Sequence, residues 1–249
     1  MKNFLLTTTA LVALTGGAAF AADLPSKAVA PMPPAIPYAT WTGPYIAGIV
    51  GVGRMNETAN NVTPAGSLGP CGNYNSACAA SATGFVGGVE VGYDWQDRYF
   101  VYGVAADWTW TGLKKTQTQA SGVSIMTHQA KIDWLASFRG RMGLAVDNTL
   151  IYVTGGLALG HLKSNASFSG ADGLNNYGAL NTTKVGWVAG GGVEHKLNRN
   201  WSIKGEALYY DLGQQTATGP SSPGNGNGSY STTFHHEVIV GRMGLAYRW

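Results

Sequence analysis

Ionisable side chains in this chain share one face of segments whose other face is bulky and apolar. Between residues 131 and 146, Asp133, Arg139 and Arg141 alternate with the large apolar side chains. A period of two is that of a β-strand, in which successive side chains point to opposite faces. Together with the same alternation in other segments, this collects six acids and five bases on one face: Glu90, Asp94, Asp107, Asp133, Glu194 and Glu206, with Arg139, Arg141, Lys204, Arg242 and Arg248.

Such a nearly balanced set favours pairing of charges over catalysis. If a closed sheet encloses these groups, each needs an opposite charge, because a buried ion left alone costs on the order of several kcal/mol. We therefore predict a salt-bridge network that fills the interior of the fold.

Other motifs that could carry chemistry are weaker. The glycine runs 155–160 and 190–192 lie inside strand-like segments and do not lead into a helix, as a phosphate-binding loop would. His235 and His236 point to opposite faces of an extended segment, so they do not share a metal ion with His128 or His161. No Ser/His/Asp set falls on one rim. We expect no enzyme activity, metal or cofactor.

Cys71 and Cys78 are the only cysteines and lie seven residues apart in a segment rich in small and polar residues. Two cysteines rule out a disulfide-rich scaffold. In an oxidising compartment we predict a local disulfide between them, with free thiols as the alternative.

Eight segments of the chain show the alternation of apolar and polar residues that is typical of strands; in 43–53, 150–162 and 184–194 the alternation is less regular. The connections between them alternate between three or four residues and about twenty. An even number of strands with tight turns at one end and long loops at the other is typical of an outer-membrane β-barrel. The strands are predicted at 43–53, 85–95, 99–110, 131–146, 150–162, 184–194, 201–209 and 238–249, with long loops near 56–82, 112–129, 164–183 and 213–234.

The amino-terminal sequence indicates export. A basic start, an uncharged apolar run and Ala19-Phe20-Ala21 predict a signal peptide over residues 1–21. A membrane anchor is the alternative, but the run is short for a span and contains threonine and glycine. We assign 22–40 to a proline-rich periplasmic segment and 41–249 to the barrel. The periplasmic start places the long loops outside the cell.

Composition excludes several classes of protein. Charged residues are 12% of the chain, and prolines or charges interrupt every stretch of the mature chain that could form an apolar transmembrane helix. The net charge of +3 is too small to indicate a nucleic-acid partner.

Volume decides which face of the barrel meets lipid. An eight-stranded barrel has an interior just wide enough for side chains to fill it, and the aromatic face is too bulky for that space. We therefore expect the aromatic face outside and the small and charged residues inside. Aromatic residues near strand ends suit the interfacial girdles, and we place Trp41 and Tyr45 among them.

The chain resembles the outer-membrane immunogenic proteins of Gram-negative alphaproteobacteria, relatives of the opacity-type porins. The resemblance rests on the segments 41–48, 186–194, 204–213 and 240–249, and it covers the whole mature chain. It departs at Pro44, where the family more often has an aromatic residue, and at Trp249, where Phe is usual. The resemblance implies that the assembly machinery of the outer membrane recognises the last strand through Tyr247 and Trp249.

We therefore expect a barrel of the cell outer membrane, plugged by its charges, that maintains the envelope and contacts the host or environment. A narrow porin-like channel for small solutes is the alternative, and a small-ligand receptor or enzyme is a third possibility. The expected partners are outer-membrane lipids and the assembly machinery. The sequences of the loops do not identify an external ligand. We expect the protein to be a monomer.

Overall fold

The computed structural model describes residues 40–62, 77–121, 124–169, 175–220 and 229–249. It confirms the predicted number of strands and their antiparallel order. The strands are β1 (Gly43–Val62), β2 (Ala77–Asp97), β3 (Phe100–Ser121), β4 (Ser124–Val146), β5 (Thr149–Ser169), β6 (Asn175–Lys196), β7 (Trp201–Pro220) and β8 (Ser229–Arg248).

The sheet closes on itself, because each strand pairs with its sequence neighbours and β1 pairs with β8. In the closing seam Tyr45 lies opposite Arg248 and Val62 lies opposite Ser231. Closure leaves no edge strand with unpaired backbone groups, as lipid requires. The described residues contain no helix of the length and apolar character needed to cross a membrane.

Three short connections lie at one end of the barrel, which we call the turn end. Two of them have two residues each, at 98–99 and 147–148, and the third spans 197–200. Arg98 and Asp147 adopt φ values of 55° and 52°. A positive φ at the first turn residue lets a two-residue loop follow the right-handed twist of its flanking strands.

The strands continue well beyond the predicted limits at the opposite end, the loop end. Most residues of the four ranges predicted as loops are paired strand, and β3 and β4 are separated only by residues 122–123. The strands have 20 to 23 residues, whereas a tilted strand needs about 9–11 to cross a bilayer. The predicted limits of these loops were wrong because polar residues can pair in a sheet outside the membrane as readily as apolar ones inside it.

The two faces of the wall divide as the alternation predicts. Large apolar side chains cover the outside, with Phe85 exposed by 82% and Met243 by 69%. A continuous apolar exterior on a closed barrel matches the hydrocarbon of a bilayer, as the volume argument requires.

The interior contains three layers stacked along the barrel axis. The turn-end plug is a cluster of Trp41, Val101, Ala145, Leu150 and Tyr152. Buried charges occupy the middle. The apolar layer lies on their loop-end side, as the order of Arg242, Val240 and Val238 along β8 illustrates. Its members are Met55, Ala82, Val86, Leu113, Ala130, Ile132, Leu135, Ala158, Leu162, Val188, Leu208, Tyr210, Leu212, Val238 and Val240.

Candidate functional site

The middle layer is a network of ten charged side chains, which we call the charge network. Its five acids and five bases are all at least 94% buried. Every acid has at least two bases within 4.0 Å, and every base has at least two acids. The members are Glu90, Asp94, Asp107, Glu194 and Glu206, with Arg139, Arg141, Lys204, Arg242 and Arg248.

The four members nearest the turn end form a cluster of two acids and two bases. Arg141 donates to Asp94 through Nε at 2.6 Å and through Nη2. Its Nη1 donates to Glu194 at 3.1 Å. Arg248 reaches the same two acids, with Nη2 2.7 Å from Asp94 Oδ2. Ser202 donates a further hydrogen bond to Glu194 at 2.6 Å. The four charges sum to zero.

The other six members form a second neutral cluster, centred on Glu90. This carboxylate accepts from Arg139 and Arg242, each at 2.8 Å, and from Lys204. Asp107 bridges the same two arginines at 3.0 and 3.3 Å, and Glu206 accepts from Arg242 at 2.7 Å. Three acids are therefore matched by three bases. Because both clusters are neutral, neither leaves an uncompensated charge in the low-dielectric interior.

Two tyrosines join the clusters. Tyr45 donates to Glu90 at 3.0 Å, and its ring lies 4.7 Å from the Arg141 guanidinium. Tyr152 donates to Glu206 at 2.6 Å, and its ring lies 4.9 Å from the same guanidinium. Each ring thus contacts one cluster through its π face and the other through its hydroxyl. Arg141 is held between two aromatic faces, a favourable site for a desolvated guanidinium.

The turn-end plug closes the barrel below the charge network. Trp41 is fully buried, and its ring lies 4.8 Å from Lys196 Nζ and 5.6 Å from the Arg248 guanidinium. Lys196 also donates to the carbonyl of Thr40. The prediction that Trp41 and Tyr45 belong to the lipid-facing girdle is therefore wrong. Both residues have the odd numbers of the inward-facing positions of β1. That segment is so rich in apolar residues and glycine that its sequence does not indicate which face is inward.

Asp133 is the one predicted member that lies outside the charge network. The pairing of β4 with β5 shifts register between Ile132 and Trp134, which marks a β-bulge. A bulge inserts one residue and reverses the facing of the residues after it. Ile132 is consequently buried, whereas Asp133 bonds to Lys131 at 2.5 Å and Lys163 at 2.8 Å on the outer surface.

A buried pair of titratable side chains lies inside the barrel toward the loop end. Glu57 Oε2 is 3.5 Å from His236 Nδ1, and both side chains are at most 3% exposed. Glu57 follows Arg54, which faces outward where the apolar exterior of β1 ends, so the pair lies beyond the hydrocarbon. Burial raises the pKa of Glu57 to about 7. His235 faces the other way and lies 3.3 Å from Asp211 on the outer wall.

The remaining predicted site residues are the two aromatic residues at the chain terminus and the two cysteines. Tyr247 packs edge-on between Trp201 and Trp249, with centroid distances of 5.1 and 5.2 Å. Trp249 is 66% exposed on the outer surface. Of the two cysteines predicted to form a disulfide, Cys78 lies on β2 opposite Ala59, whereas Cys71 lies outside the described residues, so the predicted bond stays a prediction.

Sequence reasoning missed Tyr45, Tyr152 and Lys196 as interior residues. Tyr152 has the parity of Thr154, and Lys196 has the parity of Glu194. That signal was available in the sequence. The alternation could not predict the hydrogen-bond partner of each side chain, because the partners are between 45 and 156 residues away in sequence.

Comparison with known proteins agrees with this architecture. Residues 8–237 match the family model described as outer membrane protein beta-barrel domain. The chain is 34% identical over 223 residues to the 31 kDa outer-membrane immunogenic protein of Brucella melitensis, covering 86% of this chain and 89% of that protein. It is also 34% identical over 158 residues to a 22 kDa outer membrane protein of Rhizobium leguminosarum bv. viciae, a match that covers 60% of this chain and 67% of that protein.

Among solved structures, the outer membrane protein OprG of Pseudomonas aeruginosa has a similar fold. The TM-score is 0.50 at 11% identity, and the match covers 84% of this chain and 96% of that one. These comparisons place the chain in the outer membrane.

Proposed function

We propose that this chain, which belongs to the family of proteins built on the outer membrane protein beta-barrel domain, is a non-conducting structural barrel that displays its loop end at the cell surface. The observation that carries the proposal is the filled interior. The turn-end plug, the charge network and the apolar layer succeed one another along the axis.

The three layers oppose conduction for different reasons. The charge network has no net charge, and each of its ions is already coordinated by opposite charges, so it offers no vacant ligand to a passing ion. The apolar layer excludes water by filling the cross-section with aliphatic side chains. An ion would have to displace buried side chains in both layers.

Conductance tests the proposal directly. The purified folded protein, reconstituted in a planar bilayer, should give no steady conductance steps, while a water-filled porin inserted in the same way should conduct. Large, steady steps that appear with the folded barrel and disappear on heat denaturation would overturn the proposal in favour of the narrow channel.

The surface role is supported by the length of the strands. At the loop end they extend beyond the apolar exterior, which on β1 ends before Arg54 although the strand continues to Val62. The Brucella melitensis relative is named an immunogenic protein, and we propose the same external exposure for this chain.

Whole-cell labelling tests the surface role. An epitope tag inserted within residues 221–228, between β7 and β8, should bind antibody on intact cells. The same tag in the connection 197–200 should bind only after the outer membrane is opened. Equal labelling of both tags on intact cells would contradict the proposed orientation.

A further inference from the structure

The apolar exterior ends at the loop end in a rim of polar residues, and one part of this rim is basic. Lys114 on β3 lies opposite Lys131 on β4, which in turn lies opposite Lys163 on β5. We call these three residues the lysine row. Directly opposed residues of neighbouring strands are about 5 Å apart, so three ammonium groups extend from one short arc of the outer wall.

The acidic side chains next to the lysine row are too few to neutralise its charge. Asp133 bonds to Lys131 and Lys163, and no ion pair of Lys114 occurs among the described residues. The arc therefore has an excess of two positive charges. Like charges placed directly opposite one another destabilise a sheet, so this arrangement favours an external anion.

The depth of the lysine row is fixed by the aromatic side chains beneath it. Trp108 and Trp134 stack with centroids 4.3 Å apart, and His161 stacks on Trp134 at 5.7 Å. These three rings lie on β3, β4 and β5, next to the row on its membrane side. Outward-facing aromatic rings in this position mark the boundary between hydrocarbon and headgroups. The ammonium groups consequently lie at headgroup depth.

The opposite side of the rim has the contrary charge. On β7 and β8, Asp211 and Glu237 face outward beside His235. The basic arc is therefore a local feature of β3 to β5 and not a general property of the rim. A local match to one ligand explains such asymmetry better than nonspecific attraction to a charged membrane.

We propose that the lysine row binds the phosphate of a phosphorylated glycolipid in the outer leaflet. The phosphate lies among the ammonium groups, where charge-assisted hydrogen bonds are strong, and the acyl chains lie along the apolar wall below the stacked rings. A lipid satisfies both parts of the site at once. Free phosphate could use only the lysines, which are about half exposed and therefore screened by salt.

Native mass spectrometry of the folded barrel in detergent tests this proposal. The probes are bisphosphorylated lipid A, the same lipid with its phosphates removed, and inorganic phosphate alone. The test variant replaces Lys114, Lys131 and Lys163 with Gln. The control replaces three exposed arginines elsewhere, Arg54, Arg98 and Arg199, with Gln, so that both proteins lose the same charge.

We expect the lysine variant to bind bisphosphorylated lipid A roughly 10- to 50-fold more weakly than the wild type. The control variant and a Lys→Arg triple variant should bind nearly as well as the wild type. Dephosphorylated lipid A should bind weakly to all four proteins. Heat-modifiable gel migration establishes that each variant is folded before binding is measured.

Three results would overturn the proposal. The first is equal loss of lipid A binding in the lysine and control variants, because net charge alone would then explain it. The second is lysine-independent binding of lipid A. The third is inorganic phosphate binding with the same affinity and lysine dependence as lipid A, which would assign the site to the free anion.

Discussion

At the level of single residues, the interior depends on groups that have several partners each. Arg139 contacts Glu90, Asp107 and Glu206, and Ser137 further links Arg139 to Asp107. Removing one such group leaves a buried cluster with one uncompensated charge and each of its partners with one opposite charge fewer. A buried network of this kind is therefore far more sensitive to loss of a single member than surface ion pairs are.

The first prediction is that Arg139→Ala destabilises the folded barrel by about 3–5 kcal/mol, because it leaves three buried carboxylates short of a partner. Arg54→Ala, which removes an exposed arginine from β1, should change stability by less than about 0.5 kcal/mol. Urea unfolding in lipid vesicles measures both free energies of unfolding. Equal stability of the two variants would refute an energetic role for the charge network.

The second prediction concerns pH and Glu57. The pKa of this carboxyl is about 7 in the folded protein, against an ordinary value of 4.5. The folded state consequently binds more protons than the unfolded state between these values. Stability that Glu57 contributes is present below about pH 4.5 and is lost as pH rises to about 7.

Glu57→Gln should therefore flatten the pH dependence of unfolding between about pH 4.5 and 7, by about 1–3 kcal/mol across the interval. His236 lies beside Glu57 and is present in both proteins, so the comparison is between the variant and the wild type at each pH. Asp97→Asn, at an exposed strand end, serves as the control. Parallel curves for wild type and Glu57→Gln would contradict the assignment.

At the level of the strands, the pairing register determines which face of the sheet a residue occupies wherever a bulge interrupts the alternation. The bulge on β4 turns Ile132 inward and leaves Asp133 outside. A second register shift, on β7 between Asp211 and Gln214, is accommodated by Gly213 with a φ of 72°. That backbone conformation is easily reached by glycine and only at a cost by other residues.

Inward glycines give the third prediction. A Cβ atom on Gly156 would overlap the carbonyl oxygen of Phe138 on the neighbouring strand, whereas one on Gly155 would lie 3.4 Å from the nearest atom. Gly156→Ala should destabilise the barrel by about 1–3 kcal/mol, and Gly155→Ala should be nearly neutral. Urea midpoints and heat-modifiable migration measure the difference. Similar midpoints for both variants would show that the wall relaxes freely at this position.

The fourth prediction concerns the last strand and its proposed recognition during assembly. Trp249 is exposed and adjoins Tyr247. We expect Trp249→Ala to lower the amount of folded protein in the outer membrane several-fold, while Trp249→Phe retains it. The purified variants should refold equally well in detergent, since Trp249 has little buried surface to lose. A parallel loss of refolding would assign Trp249 a structural role.

At the level of the complete barrel, an apolar exterior is combined with an interior whose charges cancel. This arrangement lets a chain with few charges fold in a membrane without leaving an ion in hydrocarbon. It also separates two kinds of electrostatics, because the charge network is enclosed while the lysine row faces the headgroups. The two should respond differently to salt.

The fifth prediction rests on that separation. The stability difference between wild type and Arg139→Ala should change little between 0.05 and 1 M NaCl, because ions do not reach the charge network. Lipid A binding by the lysine row should weaken over the same range. Urea unfolding and native mass spectrometry at both salt concentrations make the comparison. Collapse of the Arg139→Ala difference in 1 M NaCl would show that water and ions enter the interior.

Local alternation along the chain was enough to establish the number of strands, their antiparallel order, the lipid-facing side and ten members of the charge network. The penalty for an ion in hydrocarbon makes the facing of charged residues unambiguous within the membrane, though not at its rim, where Asp133 lies. The full lengths of the strands could not be read in this way, because polar alternation outside the membrane has no comparable penalty.

The positions of Asp133 outside the barrel and of Trp41 in the turn-end plug emerged only from the folded chain, as did the division of the ten charges into two neutral clusters. Each of these depends on which residues meet across strands. A bulge reverses facing without changing the local pattern, and partners distant in sequence meet only when the register of the closed sheet is set.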